Sequence, residues 1–369
     1  MHSKSLTKTI LLFGPLVLTG LGIIMIYSAS SIFASCKFHD AGYFMKKQFL
    51  FAIAGTLGML LLMRVPYERL RRLAYPLWAL CLGLLVCVLV PGIGTEIGGA
   101  VRWLRIGPLS FQPSEFAKLA VILLLAYSLS KKGRDKIKSF SIGVLPHLLM
   151  VLPLCVLIIV QPDFGTTLMI VVLLVCMMFI GGVRLRYLCG LGLLGACAAV
   201  PLIAMKGYRM ERMLTFLNPW EKSSGSGFQI IQSFLAFGAG GLKGTGLGAG
   251  TQKLFYLPEP HTDFILAVIG EELGFVGVML VVAVFAMIVL CGLRVAAHAQ
   301  DLFGAYMALG IVMMIGIQTC INMGVVLGLL PTKGMPLPFV SYGGTSLVMN
   351  LMAVGVLLSI SAHADMKAQ

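Results

Sequence analysis

Long apolar segments alternate with short polar ones along the whole chain. Each apolar segment is long enough, at roughly 18 residues or more, to cross about 30 Å of hydrocarbon as a helix. The pattern therefore predicts an all-α polytopic membrane protein with about ten transmembrane helices, forming a single integral membrane domain over residues 1–369. The predicted spans are 10–34, 47–63, 73–91, 114–130, 141–161, 165–182, 187–205, 263–291, 302–329 and 342–361.

The composition supports this class. Hydrophobic residues make up 59% of the chain and charged residues 11%, with a net charge of +14. In a soluble protein such a charge would indicate a nucleic-acid partner. Here the cations lie mostly in short loops between apolar segments, where they act as topology signals and contacts for anionic lipids. The sequence therefore predicts no nucleic-acid partner.

The nine cysteines do not indicate a disulfide framework or a zinc site. Eight lie within apolar segments, and no CxxC or Cys/His ligand spacing is present, so they are interpreted as small apolar residues.

The short basic loops predict the orientation of the chain in the cytoplasmic membrane. Residues 64–72, 131–138 and 184–186 are rich in Lys and Arg, which places these loops and both termini on the cytoplasmic side. The long loop 206–262 is then extracytoplasmic, together with ten of the 14 acidic residues. Within it, residues 228–237 have the spacing of an amphipathic helix lying along the membrane surface. The glycines of 238–250 are too irregular for a nucleotide site.

Polar residues that can carry chemistry cluster at the predicted outer ends of the spans. Glu115 and Lys118 open the fourth span, Asp163 precedes the sixth, and Asp263 precedes the eighth. Placing a charged side chain in an apolar span costs free energy, so such residues usually have a function. The remaining candidates for substrate binding are Arg102, Trp103, Arg105, His261, Lys333, Ser341 and Tyr342.

Each candidate also has a purely structural interpretation. Asp163 and Asp263 stand where an aspartate would cap a helix N-terminus. Glu115 and Lys118 are three residues apart and can pair on one helix face. His261 is interpreted as a hydrogen-bonding neighbour of Asp263 rather than a metal ligand.

The same structural alternative applies to the other polar positions. Trp103 can be an interfacial anchor, and Arg102 and Arg105 can meet lipid phosphates. Glu271 and Glu272 point about 100° apart, so one is expected to face a cavity while the other pairs elsewhere.

Taken together, these clusters resemble the SEDS family (shape, elongation, division and sporulation) along essentially the whole chain. Within that family the chain is more similar to the cell-division branch than to the elongation branch, through residues 216–220, 269–274 and 330–334. The motifs that carry the family resemblance are Tyr27-Ser28-Ala29-Ser30, Trp103-Leu104-Arg105, Phe111-Gln112-Pro113-Ser114-Glu115, Gln161-Pro162-Asp163-Phe164-Gly165-Thr166, His261-Thr262-Asp263-Phe264 and Pro338-Phe339-Val340-Ser341-Tyr342-Gly343-Gly344.

The resemblance implies a peptidoglycan glycosyltransferase with a ten-span SEDS-type fold. Its implied substrates are lipid II and a lipid-linked glycan strand, used at the outer face of the membrane in septal cell-wall synthesis. The implied partners are a class B penicillin-binding protein as transpeptidase and other divisome proteins. By this resemblance, Asp263 matches the family's essential acidic residue. Functionally sensitive positions of the family are matched by Glu115, Lys118 and Asp163.

The residues suit this chemistry. Glycan extension needs a sugar 4-hydroxyl to attack an anomeric carbon, and the lipid pyrophosphate that departs needs no general acid. One carboxylate base and cations at the pyrophosphate suffice. Arg102, Arg105, Lys118 or Lys333 can supply the cations. A divalent cation such as Mg²⁺ or Mn²⁺ held by a carboxylate is an alternative, but the sequence specifies no cofactor and no metal ligands.

Three classes of function compete on the sequence alone. The chain is a lipid II polymerase, a lipid II flippase, or a structural partner whose clusters dock a transpeptidase. The sequence shows no inverted repeat, and its acids gather on one face, which disfavours the flippase. An elongation-type polymerase is the remaining alternative within the enzyme class.

Overall fold

The computed structural model describes residues 2–97, 99–107, 109–133, 135–204, 211, 215–222, 227–250, 261–332 and 334–366. Most of these residues are helical. In chain order, the helices are α1 (His2–Phe38), α2 (Tyr43–Arg64), α3 (Leu70–Leu89), α4 (Pro113–Ser130), α5 (Phe140–Gly143), α6 (Leu145–Val160), α7 (Phe164–Ile180), α8 (Leu185–Ala204), α9 (Phe228–Gly240), α10 (Ile265–Ala297), α11 (Leu302–Val326) and α12 (Gly344–Met366).

Every predicted span coincides with a helix, so the predicted all-α polytopic fold is confirmed. Eight helical segments of the described chain are long and apolar enough to cross a membrane. The sixth and seventh spans correspond to the shorter apolar helices α7 and α8. The fifth span is divided between α5 and α6, and α1 and α10 extend beyond their predicted bounds.

A small antiparallel sheet joins α3 to α4, where the sequence analysis predicted only a loop. Its strands are β1 (Gly94–Ile97), β2 (Ala100–Ile106) and β3 (Leu109–Phe111), in the order β1-β2-β3. Trp103 pairs with Thr95 on one side of the sheet, and Arg105 pairs with Ser110 on the other. Residues 101–106 include Val101, Trp103 and Ile106, and such β-branched and aromatic residues are enriched in strands.

Glycines allow α2 and α12 to pack closely. A Cβ atom added at Gly355 of α12 would lie 2.5 Å from the backbone oxygen of Met59 on α2. One added at Gly55 of α2 would lie 2.7 Å from Leu351 on α12. Small residues at such contacts let helix backbones approach within the membrane, where van der Waals packing drives association.

Helix α10 is interrupted at Gly274, whose φ of 66° and ψ of −168° are not helical. This conformation is accessible almost only to glycine. The segment 241–248 lies against the break and restores the backbone hydrogen bonds. Thr245 N donates to Glu271 O at 2.9 Å, and Phe275 N donates to Gly241 O at 2.9 Å. The glycine-rich segment therefore supplies hydrogen-bond partners to backbone groups that the break leaves unpaired, which a helix within the membrane requires.

Helix α9 confirms the amphipathic pattern of 228–237. Its buried side packs on α10 and α11, where the Ser233 hydroxyl donates to Val326 O at 2.7 Å. Leu235 on its other side is exposed.

Candidate active site

The candidate residues come from distant parts of the chain but meet at one end of the bundle. Helices α4, α7, α10 and α12 begin at this end, and α11 ends there. Hydrogen bonds join the segments directly: Gln112 N donates to Thr345 Oγ1 at 3.1 Å, and Tyr342 N donates to His261 O at 2.9 Å. Within the loop 331–343, Met335 and Pro336 accept hydrogen bonds from α11, and Ser341 accepts one from Gln48 of α2.

Asp163 caps α7 and also binds α4. Its Oδ1 accepts from Thr166 N at 3.1 Å, which is the N-cap hydrogen bond predicted from the sequence. Its Oδ2 accepts from the hydroxyls of Thr166 at 2.8 Å and Ser114 at 3.0 Å, and from the Gln112 amide at 3.3 Å. The carboxylate is buried. Asp163 therefore fixes the start of α7 against the start of α4.

Arg102 holds the turn that presents Asp163. From β2, its guanidinium donates to Gln161 O at 3.0 Å and to Pro162 O at 2.6 Å. The Gln161 side chain in turn donates to Leu85 O of α3 at 2.9 Å. In this structure Arg102 binds protein carbonyls, and its contact with a phosphate of lipid or substrate stays a prediction. These carbonyls satisfy two of its five N–H donors.

Glu115 and Lys118 form the ion pair that their spacing predicts. The Lys118 Nζ lies 2.8 Å from Glu115 Oε2, and both side chains are buried. Lys118 also donates to Gln318 Oε1 of α11 at 2.8 Å. The Gln318 amide then donates to Pro336 O at 2.9 Å. The pair is thus part of a network linking α4, α11 and the loop 331–343.

Asp263 lies immediately before α10 but does not occupy its N-cap position. That position belongs to Phe264, which makes no side-chain capping hydrogen bond. Asp263 is half-buried, and a Cβ atom added at Gly334 would lie 3.4 Å from its Oδ2. Asn322 of α11 donates from one amide nitrogen to Asp263 O and to Met335 O, each at 2.9 Å. The Asp263 carboxylate therefore lies beside the loop 331–343.

His261 packs in an aromatic cluster. Its ring centroid is 4.4 Å from that of Phe44 and 5.5 Å from that of Tyr342. Its Nδ1 has no hydrogen-bond partner among the described residues, so the predicted hydrogen bond to Asp263 is not made through this atom. The ring faces the aromatic side chains. Burial lowers the pKa of the His261 imidazole to about 4, which keeps it neutral at neutral pH.

The loop 331–343 is held in place through Ser341 and Gln48. The Ser341 hydroxyl accepts from Leu337 N at 2.8 Å, and the Gln48 amide of α2 donates to Ser341 O at 3.1 Å. Tyr342 stacks edge-on against Phe44, and burial raises the pKa of its phenol to about 12. Ser341 therefore shapes the loop, and Tyr342 stays protonated.

The remaining candidates lie at the edge of this cluster. Arg105 is exposed on β2, and Trp103 is half-buried on the same strand. Lys333 lies outside the described residues. Among the candidate cations that the structure describes, Arg105 is therefore the exposed one.

Glu271 and Glu272 both face the glycine-rich segment, although the sequence analysis expected one of them to face a cavity. Glu272 accepts from the Ser28 hydroxyl of α1 at 2.7 Å and from Gly248 N at 3.0 Å. A Cβ atom added at Gly250 would lie 2.7 Å from Glu271 Oε2. Both carboxylates are buried where this segment meets α10.

Several residues of the cluster were missed by the sequence analysis. Gln318 and Asn322 are buried amides one turn apart on an otherwise apolar α11, and Gln48 is a buried amide on α2. An amide within an apolar helix is itself a signal, because it must find partners there. The partners themselves depend on helix packing and cannot be predicted from spacing.

The cluster brings carboxylates and cations together, among them Asp163, Glu115 and Lys118. No group of three or more His, Cys, Asp or Glu residues suited to a metal ion is found in the described part of the chain. Two of the acids, Asp163 and Glu272, are bound to donors of the protein itself.

The fold and the cluster define a polytopic helical membrane protein with a buried polar site at one end of the bundle. A family model described as "Cell cycle protein", named for FtsW, RodA and SpoVE, matches residues 9–366. The chain belongs to this family, which is the SEDS family that its motifs resemble.

Individual relatives match over nearly their full length. A protein of Trichlorobacter lovleyi named probable peptidoglycan glycosyltransferase FtsW is 49% identical over 353 residues, covering 96% of this chain and 92% of the relative. Stage V sporulation protein E of Bacillus subtilis is 46% identical over 361 residues, covering 98% of each. A structure described as "Structural coordination of polymerization and crosslinking by a peptidoglycan synthase complex" matches with a TM-score of 0.78 and 33% identity, covering 96% of this chain and 97% of that one.

Proposed function

We propose that this protein is a peptidoglycan glycosyltransferase of the FtsW type, which polymerises lipid II at the outer face of the cytoplasmic membrane during septal synthesis. The observation that carries the proposal is the position of Asp263. Its half-buried carboxylate lies at the end of the bundle where Asp163 and the Glu115–Lys118 pair also gather. Relatives about half identical to this chain bear the name of that enzyme.

In the proposed reaction, Asp263 acts as the general base. It takes the proton from the 4-hydroxyl of an acceptor sugar while that oxygen attacks the anomeric carbon of the donor. The new bond joins the acceptor oxygen to the anomeric carbon, and the bond from that carbon to the lipid pyrophosphate breaks. The pyrophosphate leaves with the electron pair of the broken bond, so no general acid is required.

The cations have different roles in this proposal. Lys118 is bound to Glu115 and Gln318, and Arg102 to two carbonyls, so both position the site. Arg105 is exposed on β2, where a lipid-linked pyrophosphate can approach it. It is the described residue best placed to stabilise the developing charge. Lys333, outside the described residues, is proposed as a second contact because it directly follows Thr332 in the site loop.

The proposed partner is a class B penicillin-binding protein with a single membrane span, accompanied by other divisome proteins. The matching structure is described as a complex that coordinates polymerization and crosslinking. Polymer made by this chain would need such a crosslinking partner. The orientation follows the basic short loops, with both termini cytoplasmic and the site outside.

The break in α10 favours a second candidate, a lipid II flippase, because interrupted helices are common in transporters. The hydrogen bonds from segment 241–248 give the break a structural explanation. The two functions differ in their product, since a flippase moves lipid II across the bilayer and forms no glycosidic bond.

The deciding experiment incubates the purified protein, alone and with its transpeptidase, with labelled lipid II in detergent and in vesicles. Glycan polymer in detergent supports the glycosyltransferase. Exchange of lipid II across vesicles without polymer would replace it with the flippase, and neither product would support a structural partner.

A further inference from the structure

We infer that Asn322 is a positioning residue that sets the place of Asp263, and that Gln318 extends this function to the Glu115–Lys118 pair. This inference rests on the proposed function of Asp263. It concerns a strip of α11 that carries two amides, one helical turn apart, beneath the site.

The hydrogen bonds of Asn322 join two segments that are far apart in sequence. Its Nδ2 donates to Asp263 O and to Met335 O, each at 2.9 Å. The backbone of Asp263 is thereby tied to the loop 331–343, and that loop lies beside the Asp263 carboxylate. Asn322 is 2% exposed, so solvent cannot replace its hydrogen bonds.

The chemistry of the side chain explains why an amide stands here. Two carbonyl oxygens need two donors from one direction, and a neutral amide nitrogen supplies both without placing a charge in the membrane. A hydroxyl supplies one donor, and an apolar side chain supplies none. Loss of the amide leaves these two carbonyl oxygens without their donors, unless the segments move apart.

Gln318 continues the connection one turn away. Its Nε2 donates to Pro336 O at 2.9 Å, directly after the residue that Asn322 binds, and its Oε1 accepts from Lys118 at 2.8 Å. A single face of α11 therefore links Asp263, residues 335–336 and the buried ion pair. Asp263 and Lys118 are thus both hydrogen-bonded to α11, through Asn322 and Gln318 respectively.

Asn350 of α12 provides a matched control. It is 1% exposed, and its Nδ2 also donates two hydrogen bonds, to Ser346 O at 2.8 Å and to Ser346 Oγ at 3.3 Å. Both partners lie within its own helix. Asn350→Ala therefore removes the same chemistry from the same depth of burial without touching the segments that Asn322 joins.

The test measures initial rates of lipid II polymerisation by the purified full-length protein, together with its thermal midpoint and its hydrogen exchange. We expect Asn322→Ala to lower kcat about 10- to 100-fold while KM stays within about threefold, because a displacement near 1 Å is sufficient for such a loss. Exchange should become faster in residues 261–264 and 335–337. Asn350→Ala should change neither the rate nor the exchange of these segments.

A double-variant cycle separates positioning from general stability. If Asn322 acts through Asp263, adding Asn322→Ala to Asp263→Asn should cause no further loss of the residual rate. An equal additional loss in that background would overturn the inference, as would near-normal kcat for folded Asn322→Ala. If Asn322→Ala does not fold, Asn322→Ser and Gln318→Leu are judged by the same criteria. If the wild type makes no polymer, the proposed function fails, and hydrogen exchange alone still decides whether Asn322 holds the two segments.

Discussion

At the scale of single residues, several buried charges of the site are bound to other groups of the protein. Asp163 is held by hydroxyls and an amide, and Lys118 by a carboxylate and an amide. Such buried groups keep a fixed geometry, but removing one partner leaves the other unpaired at considerable cost.

The first prediction concerns the Glu115–Lys118 pair. Glu115→Gln leaves the Lys118 cation buried without its anion, so the free energy of unfolding should fall by about 3–5 kcal/mol. The matched control is Asp135→Asn, which removes an exposed pair with Lys138 at the same spacing. That change should cost less than about 1 kcal/mol. Equal thermal midpoints for both variants would show that the buried pair contributes no more than the exposed one.

The second prediction concerns the acid stability of His261. Its folded pKa of about 4 lies below its ordinary value of 6.5, so the unfolded state binds the proton more strongly. The stability contributed by the neutral ring is complete above pH 6.5 and is lost as pH falls from 6.5 toward 4. His261→Gln should therefore lose less thermal stability over this range than the wild type. His298→Gln, at an exposed position, should lose as much thermal stability between pH 6.5 and pH 4 as the wild type. If His261→Gln also loses as much as the wild type, the buried imidazole does not cause the acid sensitivity.

At the scale of elements, α10 and the glycine-rich segment 241–248 form one unit. The nine helical residues 265–273, which precede the break at Gly274, form a short and largely buried helix, and its position depends on the segment that docks there. The break thus separates the residues next to Asp263 from the remainder of α10, where Phe275 and Leu280 are exposed.

The third prediction tests that unit. Gly274→Ala places a residue in a conformation nearly restricted to glycine, and its Cβ would lie 2.3 Å from Gly244 N. The thermal midpoint should fall, with a cost of about 1–3 kcal/mol or more. Gly83→Ala in α3, where a Cβ meets nothing within 4 Å, should leave the midpoint unchanged or raise it. A midpoint for Gly274→Ala equal to that of Gly83→Ala would mean that α10 can run continuously.

The sequence predicted the elements well because span length and apolar content follow directly from the bilayer. The N-cap role of Asp163 and the pairing of Glu115 with Lys118 were also predicted, since both depend on residues a turn or less apart. The docking of 241–248 onto α10, the amides of α11 and the aromatic packing of His261 were not. These contacts join residues far apart in sequence, and only the packed bundle determines them.

At the scale of the whole molecule, all the site segments lie at one end of the bundle, so the proposed function depends on which side of the membrane that end faces. The basic short loops lie at the opposite ends of the helices, which predicts that the site is extracytoplasmic.

The fourth prediction tests this orientation in intact cells. Cysteines are introduced singly at positions 136 and 222 in a Cys36→Ser background, since Cys36 is exposed at the site end of α1. A membrane-impermeant thiol reagent should label position 222 and not position 136. Labelling of position 136 alone would invert the orientation and place the site in the cytoplasm.

The fifth prediction concerns the proposed transpeptidase partner. Its membrane helix is expected on the lipid-facing side of spans eight and nine, where Phe275 and Leu280 are exposed. Photo-crosslinkers at these two positions should capture the partner, whereas crosslinkers at Leu57 of α2 and Leu80 of α3, exposed to a similar degree, should not. Capture from Leu57 and Leu80 alone would place the partner on the other side of the bundle.

The most direct test of the central claim compares polymerisation by wild-type and Asp263→Asn protein, with thermal stability measured on the same preparations. Asparagine keeps the size of the side chain and most of its hydrogen bonding but cannot take a proton from a hydroxyl. Expression, stability and partner binding should stay near wild type, while the rate of polymerisation should fall by about 100-fold or more. Near-normal polymer from the folded Asp263→Asn protein would contradict the assignment of Asp263 as general base and direct attention to Asp163.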